Sequence, residues 1–326
     1  MFVNRKMDML VSVIIPGYNH APYLRERIES VLNQEYPDFE VILLDDCSTD
    51  NSADIMQAYA SGKYSCKGRE VRFVANESNS GNTFKQWAKG MSLAKGEYIW
   101  IAESDDVAEP SFLRECMARL LANPDAVVAF TWSDMIGPDS KVLDRSWDET
   151  WRYKAPGVYE GWEFCLHRMV YKDLMYNTSM MVFRKKFFNN ISNRYLKFRH
   201  CGDWLFWFEM CMQGKVCEVP IKLNKFRQHP QKVSNDSRIT GMDFEEMAEI
   251  QTIISDTLNL CSYNRKCLRG RQTKRIEKAL RHSSDAAYTT YVKELKEKFP
   301  HIYGGNTFDK ILYTIDKVLN LSHMNK

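Results

Sequence analysis

Glu103, Ser104, Asp105 and Asp106 have the side-chain types and spacing to do chemistry. They follow the run Gly96-Glu97-Tyr98-Ile99-Trp100-Ile101-Ala102, whose apolar character reads as a strand that delivers three carboxylates where it stops. Side chains alternate faces along a strand, so extended geometry lasting to residue 105 puts Glu103 and Asp105 on one face and Ser104 on the other. Converging acids repel unless a cation or a shared proton offsets the charge. A hard divalent ion with oxygen ligands is the simplest solution, and such an ion normally brings phosphates with it. The plainer alternative is a solvated acidic turn, because Asp and Ser are ordinary turn residues.

Two later stretches add to this set. In Cys201-Gly202-Asp203-Trp204-Leu205-Phe206-Trp207-Phe208, Gly202 permits a sharp turn and Asp203 opens an apolar helical run ending near Met212. On its own that position explains Asp203 as a helix cap. In Lys225-Phe226-Arg227-Gln228-His229-Pro230, Arg227 and His229 share a side if the segment is extended, and both can then address a diphosphate. A surface pair of ordinary kind is the alternative, and Lys232 either adds charge on a flexible stem or is solvated.

The elements that position these residues alternate through the first half. Strands are expected over residues 10–15, 39–44, 71–74, 96–102 and 126–132, with helices over about 22–34, 50–59, 83–94 and from Pro110 to about 121. Asp50 or Ser52 suits the cap of the second helix, and residues 76–82 have a loop composition with no reason to be buried. Such units imply right-handed crossovers and a largely parallel α/β sheet covered on both faces. Ligands bind beyond the carboxyl ends of strands in such sheets, where Tyr18, Asp46 and Asp105 all fall. There is no Gly-x-Gly-x-x-Gly after the first strand and no Gly-Lys-Ser/Thr phosphate loop, which argues against the ordinary dinucleotide and nucleoside-triphosphate folds.

Composition narrows the class. The 326 residues are 44% hydrophobic and 27% charged, enough for a substantial core in one large domain or two. Forty-five basic against 42 acidic residues is too balanced to argue for nucleic acid. Nine cysteines without a CxxC pair read as reduced thiols of a cytoplasmic protein, and no run reaches the length needed to cross a bilayer.

The stretches Val11-Ser12-Val13-Ile14-Ile15-Pro16-Gly17-Tyr18-Asn19, Asp45-Asp46-Cys47-Ser48-Thr49-Asp50-Asn51-Ser52, Asn79-Ser80-Gly81 and Glu103-Ser104-Asp105-Asp106 together resemble the ordered signature of the family-2 glycosyltransferases with the GT-A fold. The resemblance covers residues 10–233, more closely up to Glu109 than beyond. It implies a GT-A-like, Rossmann-like, mostly parallel sheet flanked by helices in a domain over 1–240, with a nucleotide-sugar part over about 10–132 and an acceptor part over about 133–240; beyond the resemblance, the pattern of residues 241–326 reads as a helical C-terminal region. It further implies that Asp46 contacts the base and ribose, that Pro16, Tyr18 and Asn19 line the nucleotide pocket with Ser104 nearby, and that Asp105 binds Mg²⁺ or Mn²⁺ on the diphosphate. Glu103 stands where the commonest form has Asp; its longer side chain suits ribose or water. His229, near the leaving diphosphate or its metal, Arg227 beside it, Ser234 in a shifted position and Asp203 as general base complete the set.

The rest of the chain is read more plainly. Residues 134–153 are polar and looped, with Trp147, Trp151 and Tyr153 either stacking on a sugar or pinning the loop. A helix begins near residues 163–167, and residues 176–184 turn into a strand beside the nucleotide-binding sheet. Helices are expected over 244–258, 271–299 and 307–319, with 261–265 as a connector. The apolar stripe Phe308, Ile311, Leu312, Ile315, Val318 and Leu319 has the form of a face packed on its own protein, whereas Lys310 and Lys317 flank it as they would a membrane-facing stripe. The basic group around Gly270 suits anionic lipid, an anionic acceptor or simply solvent.

Three functions fit these residues to different degrees. The leading one is inverting transfer of a sugar from a nucleotide-sugar donor to a hydroxyl of a glycan or lipid-linked glycan, in the cytoplasm or at the inner face of the membrane. A sugar nucleotidyltransferase needs a Gly-rich loop that Pro16-Gly17-Tyr18-Asn19 does not provide. A non-catalytic carbohydrate-binding or scaffold protein has no use for Asp46, Asp105, Asp203 and His229 together.

Overall fold

The computed structural model describes residues 9–144, 157–230, 242–281 and 286–319. The chain divides into two compact units, Met1–Gly161 with Met175–Pro230, and Trp162–Leu174 with Gln231–Lys326. Trp147, Trp151, Tyr153, Lys232 and Ser234 lie outside the described residues.

The first unit is a mixed sheet with helices against it. Its strands are β1 (Val11–Gly17), β2 (Phe39–Asp45), β3 (Val71–Ala75), β4 (Tyr98–Ile101), β5 (Val107–Ala108), β6 (Ala126–Ile136), β7 (Val158–Tyr159), β8 (Met181–Arg184) and β9 (Lys215–Arg227). They stand in the order β3-β2-β1-β4-β8-β6-β9-β5, with β7 on β9. The β3-β2-β1-β4 block is parallel, as is β6 with β9. β8 lies antiparallel between β4 and β6, beside the nucleotide-type block as expected.

Burial explains why the parallel block forms. β1 and β2 are buried along their whole length, which suits their near-continuous apolar runs. Glu40, a carboxylate in the middle of this apolar run, accepts from the Ser12 hydroxyl at 2.6 Å and the Lys95 N–H at 2.7 Å. α1 (Ala21–Leu32), α2 (Ser52–Ala60), α3 (Thr83–Leu93) and α4 (Phe112–Ala122) connect the strands. Gly90 lets α3 approach β1, because a Cβ there would meet Ile14 Cγ2 at 2.4 Å. Between α4 and β9, α5 (Gly202–Cys211) buries Trp204, Leu205, Phe206, Trp207, Phe208 and Met210, so it is a core helix apolar around its circumference.

Three details depart from the sequence reading. The fifth expected strand continues to Ile136, absorbing Asp134 that was read as loop. α4 starts at Phe112, after Pro110 and the capping position Ser111. Extended geometry also stops at Ile101: the Asp106 N–H donates to the Glu103 carbonyl at 3.2 Å, so residues 103–106 form a turn and the face-sharing expected of Glu103 and Asp105 lapses.

The second unit is helical: α6 (Met242–Thr257), α7 (Ser262–Arg281), α8 (Ala286–Lys298), a short turn of helix at Pro300–Tyr303, and α9 (Thr307–Leu319). The stretch read as a connector, 261–265, instead opens α7, and the long helix expected over 271–299 is described as parts of α7 and α8. Gly270 sits inside α7 for a packing reason: a Cβ there would lie 2.1 Å from the Asp309 carbonyl oxygen of α9.

Candidate active site

Register brings three loops level at one edge of the parallel block. Gly17 of β1 pairs with Asp45 of β2, and Ile14 pairs with Ile101 of β4, so the residues after each strand emerge together. Pro16 is buried in β1 and Tyr18 stands exposed just beyond it. Asn19, at φ 54°, adopts the left-handed conformation that Asn tolerates better than most residues. Its Oδ1 accepts from the Thr49 N–H at 2.8 Å and the Asp50 N–H at 3.3 Å, while its own N–H donates to Ser48 Oγ at 3.0 Å. Asn19 therefore ties the first loop to the second. Asp50 adds to the tie, accepting from the Ser52 N–H at 2.9 Å at the start of α2 and from the Ala21 N–H at 3.0 Å at the start of α1.

Asp46 is buried and held by neutral donors. Its Oδ1 accepts from the Ser80 N–H at 2.9 Å, Asn76 Nδ2 at 2.5 Å and Gln86 Nε2 at 2.8 Å, and its Oδ2 from the Ser80 hydroxyl at 2.8 Å. Asn79 Nδ2 donates to the Asp46 carbonyl at 2.9 Å. The loop 76–82 is partly exposed, yet its polar side chains are what orient this carboxylate.

The carboxylates of the acidic turn have separate jobs. Glu103 Oε1 accepts from the Trp87 indole N–H at 2.7 Å, and its backbone N–H donates to the Ser179 hydroxyl at 3.0 Å. Burial, reinforced by the neighbouring Asp105 charge, pushes the Glu103 carboxyl up to about 8. Asp106 braces the framework, accepting from the Arg227 N–H at 2.9 Å and from Asn177 Nδ2 at 2.7 Å. Asp105 faces the histidines: its Oδ2 lies 3.0 Å from His229 Nε2. His20 completes the group, and one ligand atom from each of His20, Asp105 and His229 lies within 4.8 Å of the others. Ser104 orients His20 through a 2.7 Å contact between Oγ and Nδ1.

Positive charge supports this turn from within. Arg227 is fully buried, and its Nε donates to the Asp105 carbonyl at 2.6 Å, Nη1 to the Gly137 carbonyl and the Ser140 hydroxyl at 3.1 and 2.9 Å, and Nη2 to Glu26 Oε2 at 2.7 Å. The guanidinium also lies 4.8 Å from the centre of the Tyr23 ring. This is the setting of a brace, where a diphosphate ligand was expected from spacing alone. The antiparallel pairing of Val107 with Lys225 explains the meeting, since the same register continued sets Asp105 level with Arg227. Arg27, also fully buried, donates from Nε to the Glu103 carbonyl at 2.9 Å and lies over Trp100. Its Nη1 and Nη2 have no hydrogen-bond partner among the described residues. Burial pulls this guanidinium down to about 10, which leaves it charged at neutral pH.

Asp203 stands at the second position of α5, its Oδ1 accepting from the Trp204 N–H at 2.9 Å. Cys201 occupies the cap position, so Asp203 is a first-turn acid rather than the cap itself. Gly202 seats this end against α3: a Cβ there would meet Phe84 Cε2 and the Tyr195 carbonyl oxygen at 2.5 Å each. Asn82 fastens the same corner, capping α3 through Phe84 N–H and donating to the Phe198 carbonyl at 2.9 Å. His20 and Arg27 were missed from the sequence. A charged residue at the i+3 position of the buried stripe Leu24, Arg27, Ile28, Val31 was the available signal for the arginine, and the adjacency of His20 to the Tyr18-Asn19 turn was the signal for the histidine.

Similarities to known proteins bear on the family and the fold. Over 169 residues the chain is 32% identical to glycosyltransferase GlyG of Streptococcus pneumoniae, covering 52% of this chain and 50% of that one. Over 136 residues it is 33% identical to the putative teichuronic acid biosynthesis glycosyltransferase TuaG of Bacillus subtilis, covering 42% and 51%. The chain thus spans about half the length of these two relatives. Its fold is similar to that of S. aureus TarS 1–349 in complex with UDP-GlcNAc, with a TM-score of 0.61 at 20% identity over 79% of this chain and 69% of that one. A family model described as Glycosyl transferase family 2 matches residues 12–192, more than half of the sequence, and the chain belongs to that family.

Proposed function

We propose that this chain transfers a sugar from a nucleotide-sugar donor to a hydroxyl of a glycan or lipid-linked glycan acceptor, with inversion at the anomeric carbon. The observation that carries the reading is the convergence of His20, Asp105 and His229 beyond the strand ends of a family-2 fold. Their two imidazoles and one carboxylate fit a single divalent cation, and the mixed nitrogen and oxygen set suits Mn²⁺ better than Mg²⁺. A cation held there supplies neutralisation of the charge that builds on the leaving nucleoside diphosphate.

The protein's own groups do the remainder. Asp46, fixed by Ser80, Asn76 and Gln86, keeps Oδ2 oriented toward the ribose or base, with Pro16, Tyr18 and Asn19 shaping the same pocket. Glu103 presents a carboxyl suited to ribose. Arg227 and Asp106 lock the turn that carries Asp105, so Arg227 is assigned a positioning role. Asp203 takes the proton from the acceptor hydroxyl as that oxygen attacks opposite the leaving group. The UDP-GlcNAc complex of TarS supports a nucleotide-sugar donor for this chain too.

The test is calorimetric titration with a panel of nucleoside diphosphates and nucleotide sugars in Mn²⁺, Mg²⁺ or chelator. Metal-dependent binding of at least one donor, lost in Asp105→Ala, is expected. A folded protein that binds none of them under any condition would overturn the reading in favour of a scaffold.

A further inference from the structure

The last described helix is turned inside out relative to an ordinary surface helix. On α9 the carboxylates face inward: Asp309 is buried against Arg269, whose Nε donates to Oδ2 at 2.6 Å, and Asp316 is buried and accepts from the Tyr263 hydroxyl at 3.3 Å. Phe308, Ile311, Ile315 and Val318 face outward, 57%, 51%, 41% and 74% exposed. The spacing of three, four and three residues makes them one continuous stripe along the helix. Of the two alternatives left by the sequence, a self-packed or an outward stripe, these four residues take the outward one, while Asp309 and Asp316 are on the side that packs.

The surroundings of the stripe are basic. α7, which packs on α9, carries eight Lys and Arg residues against the single acid Glu277, and that acid is engaged by Lys310 at 3.2 Å. A groove of about 550 Å³ runs between the two helices, lined among others by Lys274, Lys278, Arg281, Lys310, Ile311 and Ile315. Lys266 sits over the Phe308 ring, and Lys317 is exposed beside Val318. No helix among the described residues is long and apolar enough to cross a membrane, so such a face lies on a surface and does not span it.

We propose that α9, with the basic side of α7, docks on an anionic lipid surface, the apolar stripe entering the head-group boundary while the lysines and arginines meet the phosphates. Charge selects this occupant. A two-fold pairing of the same face would press its basic rim against its own copy, and four side chains on a single helix fall short of the roughly 800 Å² per partner of a stable interface. A negatively charged leaflet complements both the stripe and the rim.

The inference does not rest on the glycosyltransferase reading, and its test needs no turnover. The full chain is sedimented with vesicles of phosphatidylcholine alone and of an equimolar phosphatidylcholine–phosphatidylglycerol mixture, at low and high salt. Binding to the anionic vesicles only, weakened by salt, is expected. Ile311→Ser with Ile315→Ser abolishes it, and Lys278→Gln with Arg281→Gln and Lys317→Gln lowers it by roughly a hundredfold, taking each positive charge as about a fivefold effect. Thermal unfolding unchanged from the native chain confirms that these exposed substitutions leave the fold intact. Equal binding to both vesicle types, no binding by the folded native chain, or a dimer that these same substitutions dissociate would overturn the proposal.

Discussion

Asp46 and Asp105 occupy neighbouring loops at the same edge of one sheet, and both are buried, yet their surroundings are opposite in kind. Asp46 is held by an N–H, a hydroxyl and two side-chain amides, all neutral donors. Asp105 sits among ionisable groups: Glu103 and Asp106 beside it in sequence, His20 and His229 in front, Arg227 bonded to its carbonyl. Neutral donors fix a carboxylate as an acceptor of defined direction, which is what recognition of a hydroxyl or base requires. Alternating acids, imidazoles and guanidinium groups instead make a place where a change of charge is strongly felt. Under the proposed function, the first region would serve recognition and the second would serve charge.

That contrast can be broken by substitution. The largest effect is expected outside both loops: Asp203→Asn should lower turnover by about 10²–10⁴ while leaving donor affinity within a fewfold, read by comparing steady-state rates with calorimetry. If donor binding collapses instead, Asp203 belongs to the donor pocket. Asp105→Asn should weaken cation-dependent donor binding by on the order of a hundredfold, whereas Asp46→Asn should leave Mn²⁺ affinity unchanged. Equal loss of Mn²⁺ in both variants would erase the distinction between the loops. Arg227→Met removes donors from the Asp105, Gly137 and Ser140 oxygens and from Glu26, and should cost about 3 kcal/mol of stability in urea titration. Ser80→Ala is the mildest: it loosens Asp46 Oδ2 and should weaken donor binding by roughly tenfold.

The same contrast explains what was legible in the sequence. Runs such as Val11-Ser12-Val13-Ile14-Ile15 and Phe39-Glu40-Val41-Ile42-Leu43-Leu44 announce buried parallel strands because burial on both faces leaves no alternative composition. The loop motifs then mark Asp46 and Asp105 by type and position. The partners of those residues were less legible, because they come from elements distant in the chain: Gln86 of α3 beside Asp46, and His20 of the turn after β1 beside Asp105. Arg227 shows the limit of spacing. An Arg two residues before a His looks like a second diphosphate contact, and only the β5–β9 pairing shows that it is enclosed behind the acidic turn. The C-terminal helix left two alternatives open, since periodicity gives the stripe Phe308, Ile311, Ile315 and Val318 but not which way it faces; Asp309 with Arg269 and the close approach at Gly270 decide that.

The measurement that tests the central claim most directly is pulsed electron paramagnetic resonance of the Mn²⁺-loaded protein, counting the nitrogens coupled to the metal. The account predicts coupling to two imidazole nitrogens, reduced to one in His20→Gln and again in His229→Gln, with binding itself lost in Asp105→Ala. Mn²⁺ that binds without histidine nitrogen, or as tightly in Asp105→Ala as in the native chain, would contradict it.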